Sequence, residues 1–389
     1  MISVNVNELK KIIAKLNLAV EKSKLNPKSG WIEIEVRSNH TMLVKVSNYD
    51  YFLESTIMYE NGTEEANEDG ILIHATVTAE TFIPLVSKLE DGSIELEECL
   101  NSLVLRTAKS EYTFPIIKEM GKVKSVDKIV FNPTRCTRSS LKGYELASIA
   151  DKNAKGLMDA VFSRDVQQFV YVDNKGALTY TENIYINDFD GDIEEGEEEP
   201  FQFLLNVTQA KLLKVFEEFG NVNVAVEYTE DYESSFKVEF SVEGVLKMVV
   251  ITQSKQLTEK FPALRLRKLA SAVSETHAIL DKKTFEKALN RLMVFDKKFD
   301  ITVLNYSKFV WGTDSVKLVS IKNHNYEIVP YVSSTNTTEH ESIIRFADIV
   351  NQLKAINSKE IDISYGDSPA IVINSDGLEQ LIPEIRAVE

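Results

Sequence analysis

The chain has 389 residues, 43% apolar and 27% charged, with 44 Lys+Arg against 60 Asp+Glu and a net charge of −16. That is the composition of a folded globular protein of roughly two to four domains, not of a disordered chain, and no apolar run approaches the roughly 18–20 residues a membrane-spanning helix needs. Two cysteines, Cys99 and Cys136, cannot build a disulfide framework, and the five scattered histidines cannot supply a structural zinc site. The opening MISVNVNELKK lacks the apolar stretch and small-residue cleavage site of a secretion signal, so a reducing, cytoplasmic location is expected.

The segment VNVNELKKIIAKL predicts an amphipathic helix with Leu9, Ile12, Ile13 and Leu16 as its apolar stripe. Lys11, Lys15 and Lys22 share another face of it. From Ile71 the pattern reads strand, helix (TAETFIPLVSKL), then strands SIELEECL, SLVLRTA and EYTFPII. The segment TRCTRSSLKGYELASIAD predicts a helix carrying Arg135, Arg138 and Lys142 at i, i+3 and i+7. The strand–helix–strands layout then recurs from Phe201, as FQFLLNV, TQAKLLKVFEEFG with Lys211 and Lys214, NVAVEYT, FKVEFSV and LKMVVI. AILDKKTFEKALNRL predicts a helix with Lys283, Lys287 and Arg291 at i, i+4 and i+8, and a third copy of the layout follows from Ser342 through ADIVNQLKAI, EIDISYG, AIVINS and LEQLIPEIR.

These copies align as internal repeats. Phe82, Ile83, Val86 and Leu89 fall on Leu212, Leu213, Phe216 and Phe219, and those on Ile349, Val350, Leu353 and Ile356. The helix around Leu9 falls on the helix around Phe285 at an offset of 276 residues. The expectation is an α+β protein of three similar domains, 1–124, 125–268 and 269–389, each with two helices and about eight antiparallel strands. Boundaries belong near 122–128 and 262–277, where apolar periodicity lapses.

Cations recur on equivalent helices of a chain that is acidic elsewhere. For one helix this describes an ordinary solvated face; repeated in three units it predicts a positive track that binds duplex DNA through its phosphates, without reading bases. The acidic remainder would repel DNA from other surfaces. The run Asp188–Glu199 imitates a calcium loop, with Asp188, Asp190, Asp192 and Glu199 in ligand positions. Its sixth position is Ile193 where the sharp turn requires Gly, so a solvated acidic loop is the better reading. Phosphate-cradling glycine loops and the G-x-S-x-G nucleophile elbow are absent, and no cofactor is implied.

Several stretches resemble the bacterial-type DNA polymerase sliding clamp, the beta subunit family of DNA polymerase III. They are TAETFIPLVSKLEDGSIELEECLNSLVLRTAKSEYTFPII, the strand pair LVKVSNYDYFLESTI with Asp50, the connector LTEKFPALRLRKL and the ending LIPEIRAVE. The resemblance spans essentially the whole chain and implies a non-catalytic processivity factor. Such a protein forms a head-to-tail homodimer ring, is placed on duplex DNA by a clamp loader, and tethers a replicative DNA polymerase. It further implies an interface built on an edge strand near Ser102–Ala108, and a groove for partner peptides. Candidate groove residues are Thr181, Ile184, Ile186, Phe261, Pro262, Leu266, Ile382, Pro383, Ile385 and Arg386. The sequence departs from the family at Thr181-Glu182-Asn183-Ile184-Tyr185-Ile186, where a Gly-His-Arg is replaced, and at Glu384, an extra residue between Pro383 and Ile385. These departures are compatible with a divergent bacterial or a phage-encoded member. Two alternatives stay open: a clamp-fold scaffold or inhibitor that no longer encircles DNA, and a metal-dependent nuclease or hydrolase using the Asp188–Glu199 acids.

Overall fold

The computed structural model describes residues 1–21, 27–62, 66–117, 135–137, 157–162, 166–173, 176–183, 201–220, 222–227, 231, 233–261, 276–296, 307–322, 324–354, 356–366, 370–375 and 378–384. The expected domain boundaries near 122–128 and most of 262–277 lie outside these residues.

The first third begins with β1 (Ile2–Asn5), α1 (Val6–Leu16), β2 (Trp31–Arg37), β3 (Thr41–Ser47), β4 (Tyr51–Met58) and β5 (Asn61–Gly62). It continues with β6 (Ile71–Thr78), α2 (Ala79–Lys88), β7 (Ser93–Cys99), β8 (Ser102–Arg106) and β9 (Glu111–Pro115). The middle third holds β10 (Arg135–Thr137), β11 (Leu157–Phe162), β12 (Val166–Asp173), β13 (Gly176–Asn183), β14 (Phe201–Asn206) and α3 (Val207–Leu212). After it come β15 (Val222–Glu227), β16 (Ser235–Val242), β17 (Leu246–Ser254) and α4 (Lys255–Lys260). The last third runs β18 (Thr276–Asp281), α5 (Lys282–Asp296), β19 (Ser307–Trp311), β20 (Ser315–Ser320), β21 (Tyr326–Pro330) and β22 (Ser333–Ser334). It ends with β23 (His340–Ile344), α6 (Phe346–Leu353), β24 (Glu360–Tyr365), β25 (Ala370–Ser375) and β26 (Leu378–Pro383).

The helices form where the apolar period places them, and each copy buries the same stripe. Leu9, Ile12, Ile13 and Leu16 are buried on α1, as are Phe285, Ala288, Leu289 and Leu292 at the equivalent positions of α5. Phe82, Val86 and Leu89 are buried in one copy of the second helix, Leu212, Leu213 and Phe216 in the next, and Ile349, Val350, Leu353 and Ile356 in the third. Local polar chemistry caps the starts of α1, α3 and α5. The Asn7 and Glu8 N–H groups donate to Asn5 Oδ1 (2.9 and 3.3 Å). Asn206 and Gln209 exchange backbone-to-side-chain bonds (3.0 and 2.9 Å), and Thr284 N–H donates to Asp281 Oδ1 (2.7 Å).

Contacts gather the chain into two compact units, Met1–Ser140 with Ile186–Gly191 and Leu212–Lys255, and Leu141–Tyr185 with Asp192–Lys211 and Gln256–Glu389. The first unit contains a five-stranded sheet, β5-β1-β7-β8-β9, and an eight-stranded sheet, β10-β15-β16-β17-β4-β3-β2-β6. Strands from the first and middle thirds join in the larger sheet through β17 and β4, with Met248 opposite Leu53. The second unit contains a nine-stranded sheet, β14-β11-β12-β13-β26-β25-β24-β18-β22, and a four-stranded one, β21-β20-β19-β23. There β13 and β26 join middle and last thirds, with Ala177 opposite Leu381. The pairings among described strands are antiparallel, giving the expected α+β architecture.

Three sequence expectations need correction. Arg135 stands on strand β10, paired with Val224 of β15, not on a helix with Arg138 and Lys142. The corresponding segments of the other copies, β1 and β18, are strands as well. The helix TQAKLLKVFEEFG stops at Leu212 and continues as a 3-10 turn over Leu213–Phe216. Residues i and i+3 eclipse in that winding, which aligns Leu213 and Phe216, both buried. Finally, β8 (Ser102–Arg106) is not an edge strand: it pairs with β7 on one side and β9 on the other, so among the described strands β9 carries the edge.

Candidate nucleic-acid interface and partner groove

On α1 the apolar stripe faces the core, which leaves Lys11 exposed. One turn later, Lys15 Nζ stands 3.1 Å from Glu218 Oε2 and 4.4 Å from the centre of the Phe219 ring. Lys211 and Lys214 are exposed beside the buried Leu212, Leu213 and Phe216. On α5, Lys283 and Lys287 are exposed, whereas Arg291 makes a two-pronged bond to Glu327 on β21 (Nε–Oε1 2.7 Å, Nη2–Oε2 2.9 Å). The hydrogen bond to Arg291 holds the Glu327 carboxyl below its ordinary range and raises the guanidinium. Lys22, Arg138 and Lys142 lie outside the described residues.

The described groove candidates belong to the second unit. Thr181 is on β13 and the pair Ile382–Pro383 on β26, adjacent strands of one sheet. Their antiparallel register puts Thr181 next to the Tyr180–Leu378 pair and Ile382 beyond Ala177–Leu381, at opposite ends of the pairing. Ile382 is 1% exposed and packs within the core of this unit, so it supports the strand, while Pro383 is exposed. Phe261 is half-buried just after α4, its N–H donating to Thr258 O (3.1 Å). Ile184, Ile186, Pro262, Leu266, Ile385 and Arg386 lie outside the described residues, as does the acidic run Asp188–Glu199. Glu384 turns inward: Ser342 Oγ donates to its Oε1 (2.5 Å) and accepts from the Trp311 indole N–H (3.0 Å).

Two clusters invite a catalytic or metal reading, and their geometry decides against each. His277, Asp362 and Ser364 approach one another, but both carboxylate oxygens (3.2 Å) and Ser364 Oγ (3.1 Å) meet the same ring nitrogen, Nδ1. A nucleophilic relay needs the hydroxyl and the carboxylate on opposite nitrogens. Glu33, Glu35 and His74 bring ligand atoms within 4.8 Å of one another. Lys45 Nζ already occupies that position, 3.3 Å from Glu33 Oε1 and 2.5 Å from Glu35 Oε2, and Arg37 Nε adds a 2.6 Å contact to Glu35. Burial pushes the Glu35 carboxyl upward; bonding and charge from Lys45 and Arg37 outweigh it and hold the group below its ordinary value.

Sequence reasoning missed Glu218, Phe219 and Glu327 as partners of the helix cations. No local spacing signals them, because each comes from an element distant in sequence from its partner.

No family model matches the chain. It is similar over almost its whole length to the beta sliding clamp of Mycoplasma genitalium, at 22% identity covering 98% of this chain and 97% of the relative. Its fold is that of the DNA polymerase III beta subunit of Thermotoga maritima, with a TM-score of 0.77 at 17% identity, covering 100% of this chain and 99% of that one. The Helicobacter pylori beta clamp, solved bound to a DNA ligase peptide, matches with a TM-score of 0.69 at 16% identity and 99% coverage of both chains.

Proposed function

We propose that this chain, which carries the bacterial-type sliding-clamp fold from end to end, is a non-catalytic processivity factor that encircles duplex DNA and tethers a replicative DNA polymerase. The observation that carries this reading is the fold likeness along the full chain, at a TM-score of 0.77. The repeated helices supply its physical side: α1 and α5 expose Lys11 and Lys287 at equivalent positions in a protein of net charge −16.

In this reading three domains, 1–124, 125–268 and 269–389, form half of a ring closed by a second copy, with a clamp loader to open and seat it. A closed ring retains DNA topologically, so its contacts can be few and weak. Lys suits such contacts, because a hydrated point charge passes from phosphate to phosphate without a fixed geometry. The copies would meet head to tail through edge strands, a heterologous contact that closes. On one side, β9 is the edge of the five-stranded sheet among the described strands. On the other, β21 is the edge of the four-stranded sheet and leaves Tyr326 and Ile328 more than half exposed, at 59% and 57%. Partner peptides from the polymerase and loader would dock beside Phe261 and Pro383.

Sedimentation across a dilution series tests the assembly. A species of twice the 44.0 kDa chain mass that survives dilution is expected. A monomer at every concentration would sink the ring. Retention on circular duplex after loading, with release when the DNA is linearised, tests encirclement itself.

A further inference from the structure

At the 276-residue offset between α1 and α5, Lys11 falls on Lys287 and Lys15 on Arg291. The outcome at the two pairs of positions is the same. Lys11 and Lys287 are exposed. Lys15 and Arg291, one turn further on, are each held by a carboxylate. The carboxylates have unrelated origins: Glu218 lies just beyond the 3-10 turn that follows α3, whereas Glu327 projects from β21. Lys15 is held from two sides, by Glu218 and by the Phe219 ring, and its side chain is only 19% exposed. Arg291 uses its planar fork on Glu327, the geometry with which it would otherwise grip a phosphate.

We propose that Glu218 and Glu327 are affinity-limiting residues that withhold Lys15 and Arg291 from DNA, so that the helices engage fewer phosphates than their cations allow. The inference rests on the DNA-encircling reading above. Its physical basis is counterion release: each cation that reaches a phosphate steepens the salt dependence of binding by about 0.9 in the log–log slope. An additional bidentate arginine on the path would also be a sticking point for a protein that must slide. Neutralising Lys15 and Arg291 lowers the number of simultaneous contacts while leaving Lys11 and Lys287 available. The carboxylates add a local repulsion, because Glu218 is 71% exposed beside the helix it serves.

The test uses the full-length protein and a short, random-sequence, fluorescein-labelled duplex, with anisotropy titrations across a salt series. Glu218→Gln and Glu327→Gln should each bind severalfold more tightly at low salt and steepen the slope by about 0.9. Adding Lys15→Met to Glu218→Gln should remove the extra slope, which ties it to that ammonium. Should Glu327→Gln fail to fold, Glu218→Gln decides alone, because its carboxylate is largely in solvent. Parental slopes in both Gln variants, with Lys11→Ala and Lys287→Ala still flattening the parent's slope, would overturn this inference and leave the DNA reading standing. A parent that binds no duplex, with all variants silent, would overturn both.

Discussion

Ser342 donates its hydroxyl hydrogen to Glu384 at 2.5 Å while accepting one from the Trp311 indole at 3.0 Å, so Glu384, the residue after β26, is tied to a buried tryptophan. Ser342 is 1% exposed and Trp311 is fully buried, stacked on Tyr365 at 4.6 Å. Replacing Ser342 by Ala takes from the indole N–H its hydroxyl acceptor and from Glu384 a buried donor. The expected cost is about 1–3 kcal/mol, read as a lower urea midpoint. An unchanged midpoint would show that the Ser342 hydroxyl does not hold this corner together.

Lys45 is the hub of a buried ionic network, its ammonium shared by Glu33 and Glu35. Lys45→Met leaves two carboxylates facing each other with little access to water. The loss should be about 3–5 kcal/mol, far above that of an exposed pair. Denaturant unfolding of the variant measures it.

The same network sets an acid limit on stability. Glu35 has a lower pKa in the folded protein than its ordinary value of 4.5. It therefore contributes stability above that ordinary value, and the contribution is lost as pH falls through the lower folded value. Lys45 is one of the two cations that lower it, so in Lys45→Met the folded value rises and less stability is lost on acidification: the gap between parent and variant should be widest above the ordinary value and narrow as the pH falls. Urea midpoints followed across the acid range decide this; a gap that stays constant with pH would exclude Lys45 as the cause.

Lys11→Glu and Lys287→Glu test the cationic surface directly. Each should weaken binding to a random duplex at low salt and reduce the slope of affinity against salt by about 0.9 or more. Lys109→Glu, in the turn between β8 and β9, is the control. Equal effects from all three would reduce the result to net charge.

Ile328→Lys addresses the proposed contact between copies. The side chain is 57% exposed on β21, so its replacement should change the unfolding midpoint by no more than about 0.5 kcal/mol. Sedimentation should nevertheless show dissociation to single chains. A variant that remains dimeric places the interface elsewhere.

Much of this was readable from residue order alone. The apolar stripes of α1 and α5, and the aligned sets beginning at Phe82, Leu212 and Ile349, followed from a 3.6-residue period, and their burial matches the repeat. The strands SIELEECL, SLVLRTA and EYTFPII became β7, β8 and β9 because turn residues and alternation are local signals. Arg135 was misplaced for the same reason: helical spacing of three cations is a local coincidence, and β15 claims that segment by pairing with it from far along the chain. Ile382, a candidate groove wall, is 1% exposed among the core residues of the second unit, a placement that local spacing does not signal.

Composition and periodicity, which act within a short window of chain, carry the α+β class, the acidity, the internal repeat and the cations on equivalent helices. Which of those cations pair with a carboxylate depends on the folded arrangement. Glu218 and Glu327 reach Lys15 and Arg291 across contacts that no spacing encodes, and a charge is defined by what stands within a few ångströms of it.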